Sequence, residues 1–459
     1  MRNRASGNLE IPGLVLTHHP GMTIDGLHHG ANIGQMRANP PAATTRHKDP
    51  QQDGSDLTMA DGIFAGLKVL DCASFIAAPA AATVLSDFGA EVIKIEPPGS
   101  GDPYRNLPNL PGYPISPHNF AWLLESRNKR SIALDLSRPE GKAVLYRLVA
   151  EADVFITNFP PGVRQRLGIT YEELKPLNAR LVYASFTGYG EKGEEANKPG
   201  FDSNAYWARS GLMDLVRADQ STTPARSVPG MGDHPCAMAL YGAIVTALYK
   251  RERTGEGSHV SSNLMANGIW AAGVLAQAKL CGAKFQERRP RERALNAVTN
   301  HYKCKDGRWL ILSLLNEERQ WPVLARCLGR EDLIADPRFA TKPDRHARSL
   351  ELISIFDDIF ATRELAEWRG ILDGNGLVFG VVGILDDIPN DRQMIENDVL
   401  VPFANDTMLT INSPIWIDGS EKVKPRHPPG VGEHSDEILR ESGYDEASIQ
   451  ELRASGAVA

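Results

Sequence analysis

From residue 67 the apolar positions switch repeatedly between two periods. KVLDCA is a short apolar run of strand type, and SFIAAPAAATVLSDFG is Ala-rich with helical spacing and ends in glycine. AEVIKIE then reads as a second strand. A strand, a helix and a strand at this spacing make a βαβ unit, which implies parallel pairing. The pattern recurs, with GKAVLYRLVAEA as a helix before the strand DVFITN and YEELKPLNA as a helix before LVYASF. This alternation predicts an open α/β sheet with helices on both faces. The turn after KVLDCA lacks GxGxxG, which argues against a dinucleotide cradle.

A helix is predicted from Asp233 to about Arg251, then a turn at TGEG and a strand running into another helix. The charged stretch 282–297 breaks the pattern and reads as a crossing between domains. HYKCKDGRWLILSLL predicts a hairpin about its Asp-Gly turn. Helical patterns follow in EERQWPVLARCLG, HARSLELISIFDDIFA and ELAEWRGILDG, and two short helices close the chain. Residues 1–61 are different. They are rich in Gly, Pro and His without sustained apolar period, and are expected to form a flexible extension. Met59 is an alternative start, and the His18-His19 and His28-His29 pairs read as tail rather than as a metal site.

Composition narrows the function. With 50 basic against 57 acidic residues the net charge is −7, which gives no reason to expect a nucleic-acid partner. The five cysteines never form a CxxC pair, so neither a disulfide frame nor a zinc site is expected. No apolar run approaches the ~20 residues of a membrane helix, and no secretory pattern opens the chain. A cytoplasmic protein without membrane partner or metal is the expectation.

Chemistry centres on Met231-Gly232-Asp233-His234-Pro235-Cys236. Asp followed by Pro ahead of an apolar helix reads, taken alone, as an N-cap. The alternative is a reactive carboxylate beside free helix-start amides. These six residues alone favour the cap.

Several separated segments share one family's order and spacing between about residues 66 and 260. They are GLKVLDCASFIAAPAAATVLSDFGAEVIKIEPPGSGDPYR, NKRSIALDLSRPEG, ADVFITNFPPGVRQRLGITYEEL, GYGEKG, PGFDSNAYWARSGL and MGDHPCAM. The chain resembles the class III CoA-transferases of the CaiB/BaiF type, which include formyl-CoA transferase, carnitine CoA-transferase and related α-methylacyl-CoA racemases. The resemblance implies a large Rossmann-like CoA-binding domain (62–280), a smaller α+β domain (281–400) and a C-terminal segment (401–459) returning to the first. It also implies an interlocked homodimer, with coenzyme A as substrate rather than as a tightly bound cofactor.

By the same resemblance Asp233 is the nucleophile, forming an aspartyl anhydride and then an aspartyl-CoA thioester while CoA passes from an acyl-CoA to a free acid. Helix-start amides are expected to stabilise the oxyanion. Asp202 matches an acidic position facing the reacting carbonyl, with a loop cap as its bland alternative. Phe201 stands where the racemases carry a histidine, and a phenyl ring cannot move an α-proton. Phe75, Ala77, Leu134, Asn158, Phe159 and Arg166 match CoA-lining positions, Arg166 at the phosphates. Leu134 and Phe159 read equally as core, and Arg166 as a solvated cation. Ile76 replaces the glutamine of formyl-CoA transferase, and no glycine-rich loop occurs near residues 285–305, which argues for a more apolar acyl group than oxalate. Tyr206 and Trp207 extend that apolar set, with core aromatics as their bland reading. A racemase and a catalytically silent CoA-binding protein are the alternatives.

Overall fold

The computed structural model describes residues 62–459, so the extension expected over 1–61 lies outside the described residues. Six parallel strands form the central sheet: β1 (Lys68–Asp71), β2 (Glu91–Glu96), β3 (Lys129–Ala133), β4 (Val154–Thr157), β5 (Val182–Thr187) and β6 (Ser258–Asn263). Their order is β3-β2-β1-β4-β5-β6. The chain builds outward from β1 to β3, returns to lay β4 beside β1, and builds outward again. The direction reverses between β1 and β4, which pair Val69 with Val154 and Leu70 with Phe155. Loops leaving the carboxyl ends of these two strands diverge there and open a crevice, the usual ligand position in such sheets.

One face of the sheet packs against the helices Ala77–Asp87 and Asp233–Thr254. Ala77, Ala78, Ala80, Ala81 and Ala82 are all buried, and their small side chains let the two helices lie close together. The other face is covered by Leu145, Leu148 and Val149 from the helix Pro139–Glu151. Ile438, Leu439 and Ile449 join this second core from the C-terminal helices Ser435–Glu441 and Glu446–Ala454. The chain end extends the β3 edge, where the Asp135 amide donates to Ala457 (2.9 Å) and the Ala459 amide to Ala133 (3.2 Å).

A third core gathers Tyr302, Phe356, Phe360 and Trp368 beneath a small antiparallel sheet. The predicted hairpin is its β7 (His301–Lys303) and β8 (Trp309–Leu312), joined by β9 (Phe379–Val381). A separate antiparallel pair, β10 (Leu400–Pro402) and β11 (Leu409–Ile411), follows. The α/β class read from the sequence is the class observed. Among the described residues no helix is long and apolar enough to cross a membrane.

Two elements depart from expectation. YEELKPLNA gives a single α-turn, Tyr171–Leu174, and a 3-10 turn over Lys175–Leu177, because Pro176 has no amide to continue the helix. β3 carries no apolar alternation at its start. Lys129 is buried there because its ammonium meets Asp71 at 2.9 Å and the Pro79 carbonyl at 2.8 Å. Lys94 on β2 is likewise enclosed, 2.8 Å from Asp102 and 3.6 Å from Asp71. Charges this deep persist only when paired, and here each ammonium has its carboxylate.

Candidate active site

The loop after β1 and the loop after β4 are stapled across the strand-order reversal. The Ser74 amide donates to Asn158 Oδ1 at 2.9 Å, and Asn158 Nδ2 donates back to the Ser74 carbonyl at 2.6 Å. Beside this staple lies a cavity of about 270 Å³, lined by Phe75, Ile76, Ala77, Asn158, Phe159, Phe201 and Asp233, among others. A larger concavity of about 870 Å³ lies at residues 398–425, around Trp416 and Lys422. It is remote from the reversal and takes in none of the candidate residues, so position and chemistry favour the smaller cavity.

Phe75 holds a left-handed backbone, φ 64°, which costs a non-glycine residue free energy and needs support. Its amide donates to Asp102 Oδ1 at 3.3 Å. Asp102 is in turn fixed by Lys94 at 2.8 Å, so the buried ion cluster under β1–β3 holds the cavity's first loop. The Phe75 ring meets Phe201 edge to face, centroids 5.4 Å apart.

Asp233 is the first residue of its helix, and its side chain makes no cap bond. The cap reading is therefore overturned: Gly232 occupies the cap position and the carboxylate is left for other use. Burial pushes the Asp233 carboxyl up to about 7, with the charges of Asp202 and Glu125 acting in the same direction and His234 opposing them. The helix dipole also opposes the rise, but at ~0.3–1 kcal/mol it is the smaller effect. Asp202 begins a wide π-helical turn, Asp202–Ala208, and its Oδ2 accepts the Gly232 amide at 3.3 Å. Such turns interrupt regular helix and recur at functional sites. Gly232 lies against the buried Tyr206 ring, where a Cβ would sit 2.6 Å from Cγ. Only glycine fits.

Two of the amides at this helix start are already engaged. His234 donates its amide to Gly230 (3.0 Å), Cys236 donates to Gly232 (3.3 Å), and Pro235 has none. Positive charge is favoured on His234, whose Nε2 lies 2.7 Å from Glu125 Oε1.

Residues 64–435 match the model of CoA-transferase family III. The chain belongs to that family. It is 34% identical over 400 residues to (R)-2-hydroxy-4-methylpentanoate CoA-transferase of Clostridioides difficile, covering 86% of this chain and 98% of that one. Cinnamoyl-CoA:phenyllactate CoA-transferase of Clostridium sporogenes is 34% identical over 401 residues, covering 85% and 96%. A crystal structure of a CaiB/BaiF family protein from Brucella suis superposes with a TM-score of 0.74 at 28% identity, covering 83% of this chain and 100% of that one.

Seen as a family III transferase, the chain gathers most but not all of its sequence-derived candidates. Asp202 is buried behind Asp233 through Gly232 rather than lining the cavity. Leu134 is 2% exposed, packed in the second core and bridged to Val458, so its side chain stands apart from the cavity. Arg166 is exposed on the helix Pro161–Leu167 and has no ion-pair partner among the described residues. Its neighbour Arg164 is buried and bonded to Glu191 at 2.7 Å. Tyr206 and Trp207 are buried in the first core. Sequence reasoning missed Glu125, Tyr104 and the role of His234. His234 stood inside the quoted hexapeptide, but its partner lies 109 residues away and no local spacing joins them.

Proposed function

We propose that this family III member moves CoA from an acyl-CoA to a free carboxylic acid through covalent intermediates on Asp233. The observation carrying this reading is an uncapped, half-buried carboxylate on the wall of the cavity at the strand-order reversal. Asp233 Oδ attacks the thioester carbonyl, the C–S bond breaks, and the electron pair leaves on the CoA sulfur. The thiolate then attacks the Asp233 carbonyl carbon, releasing the donor acid and leaving an aspartyl-CoA thioester. The acceptor acid reverses both steps. No proton need move, which suits a site with Phe201 where a racemase requires a base.

Phe75, Ile76, Phe201 and Leu264 give the cavity an apolar wall, which favours branched or aryl acyl groups over small diacids. The acids named in the two quoted relatives are of that kind. Arg166, exposed and unpaired among the described residues, supports the reading as a partner for CoA phosphate. Incubation with cinnamoyl-CoA, followed by hydroxylamine and mass analysis of the peptide containing Asp233, tests the mechanism. A hydroxamate on Asp233 is expected. Transfer that survives Asp233→Ala would overturn it.

A further inference from the structure

His234 is clamped in a way the transfer steps above do not use. Its Nε2 meets Glu125 Oε1 at 2.7 Å, and its backbone amide donates to the Gly230 carbonyl at 3.0 Å. A carboxylate only accepts, so Nε2 carries a proton, and the negative charges of Glu125 and Asp233 raise the ring's affinity for a second, which favours the imidazolium. The clamp is built for this contact. Glu125 is 2% exposed, and its own carbonyl is fixed by Thr83 Oγ1 at 2.5 Å. Gly230 has φ +78°, and a Cβ there would meet the His234 ring at 2.7 Å from Cε1.

The groups that face Asp233 are Asp202 from the π-helical turn, Glu125 from the helix Phe120–Glu125, Tyr104 from the segment Pro103–Asn109, and Cys236 and His234 from its own helix. Two are carboxylates, two are neutral at working pH because burial pushes the phenol and thiol up, and only His234 is cationic. The His234 and Cys236 amides, which would otherwise meet negative charge, are spent on Gly230 and Gly232.

We propose that His234, held as an imidazolium by Glu125, is a positioning residue for CoA transfer: the fixed counter-charge that lets Asp233 ionise and attack beside two other carboxylates. This rests on Asp233 as the nucleophile. Removing the cation raises the proton affinity of Asp233 and shifts the ascending limb of the pH–rate profile upward.

Transfer from cinnamoyl-CoA to phenyllactate is followed from pH 6 to 9 for the wild type, His234→Gln and His234→Lys, alongside hydroxylamine trapping. His234→Gln is expected to lose about fivefold in kcat at pH 7 and to approach wild type at pH 9, an apparent pKa about one higher. His234→Lys, which keeps the charge, is expected to recover part of the loss at pH 7. A loss equal at every pH, or an unchanged profile, overturns the proposal. Nitrogen-15 NMR of the wild-type imidazole is an independent reading that needs no variant to fold; a neutral ring at pH 7 also overturns it. Absence of any Asp233 hydroxamate in wild type would instead defeat the covalent reading, whereas trapping with an unshifted profile defeats only this inference.

Discussion

The substitution Asp233→Asn keeps the shape of the side chain and removes its charge. The carboxyl is raised from 3.8 to about 7 by burial and by Asp202 and Glu125. That is a roughly thousandfold gain in proton affinity, and at ~1.36 kcal/mol per tenfold it makes the ionised form about 4 kcal/mol less favourable in the fold than in the unfolded chain. The figure is an upper one, because Asp233 keeps some solvent contact. The sign follows from proton counting. Between about pH 4 and 7 the unfolded chain has lost a proton that the native state keeps, so wild-type stability falls as pH rises through that window and levels off above it. The asparagine variant has no such proton. Its stability relative to wild type is therefore expected to grow from about pH 4 to 7 by a few kcal/mol and stay constant to about pH 9, while transfer is abolished. Paired thermal melts at about pH 4.5, 6 and 8 measure the difference. A stability gap that does not change with pH would refute the argument that this carboxylate is held protonated by its surroundings.

Gly232→Ala forces a Cβ into the buried Tyr206 ring and is expected to cost about 1–3 kcal/mol, read as a lower Tm, and to displace Asp233. Arg166→Ala is expected to raise KM for acyl-CoA roughly tenfold without a change in Tm, with the effect shrinking in high salt. Arg164→Ala, next to it, leaves Glu191 without its 2.7 Å partner and is expected to cost about 3 kcal/mol, seen in denaturation rather than in KM. The helices Leu264–Ala271 and Gly273–Leu280 expose Trp270, Val274 and Leu280. The expected homodimer would cover this face, and Trp270→Glu with Leu280→Glu should then lower the mass measured by light scattering.

The parallel sheet was legible because strands buried on both faces read as short apolar runs separated by helical periods. β3 escaped that test: Lys129 and Arg130 begin it, and Lys129 is tolerable only through Asp71 on a neighbouring region of the sheet. The cavity's loops were legible as matched segments, since Phe75–Ala77 and Asn158–Phe159 follow β1 and β4 directly. Asp233 was ambiguous for a physical reason. A cap and a first-turn residue share the same residue types, and only the placement of Gly232 at the cap tells them apart. The Glu125–His234 clamp was invisible, because nothing in a helix-end glutamate announces a partner on another helix. Leu134, a matched motif position that read equally as core, points its side chain into the core.

The raised proton affinity of Asp233 has a further chemical use within the covalent mechanism. In the mixed anhydride two carbonyl carbons compete for the CoA thiolate. Attack on the substrate carbon expels the Asp233 carboxylate and returns the starting acyl-CoA. Attack on the Asp233 carbon expels the substrate carboxylate and carries transfer forward. The weaker base leaves more readily, and an ordinary carboxylic acid near ~4–5 is a weaker base than a carboxylate raised to about 7. The environment that makes Asp233 the better nucleophile also makes it the poorer leaving group, so both effects drive the acyl group off as free acid. Asp202, which raises Asp233 and anchors Gly232 at 3.3 Å, sets part of this bias. Asp202→Asn keeps the amide contact and removes the charge. It is expected to move the ascending pH limb downward, opposite to His234→Gln, and to increase the fraction of anhydride that reverts. Reversion is measured as the initial rate at which isotopically labelled free CoA enters donor acyl-CoA in the absence of acceptor acid. If Asp202→Asn lowers the pH limb yet leaves that exchange unchanged, basicity does not govern the partition and this account of the site fails.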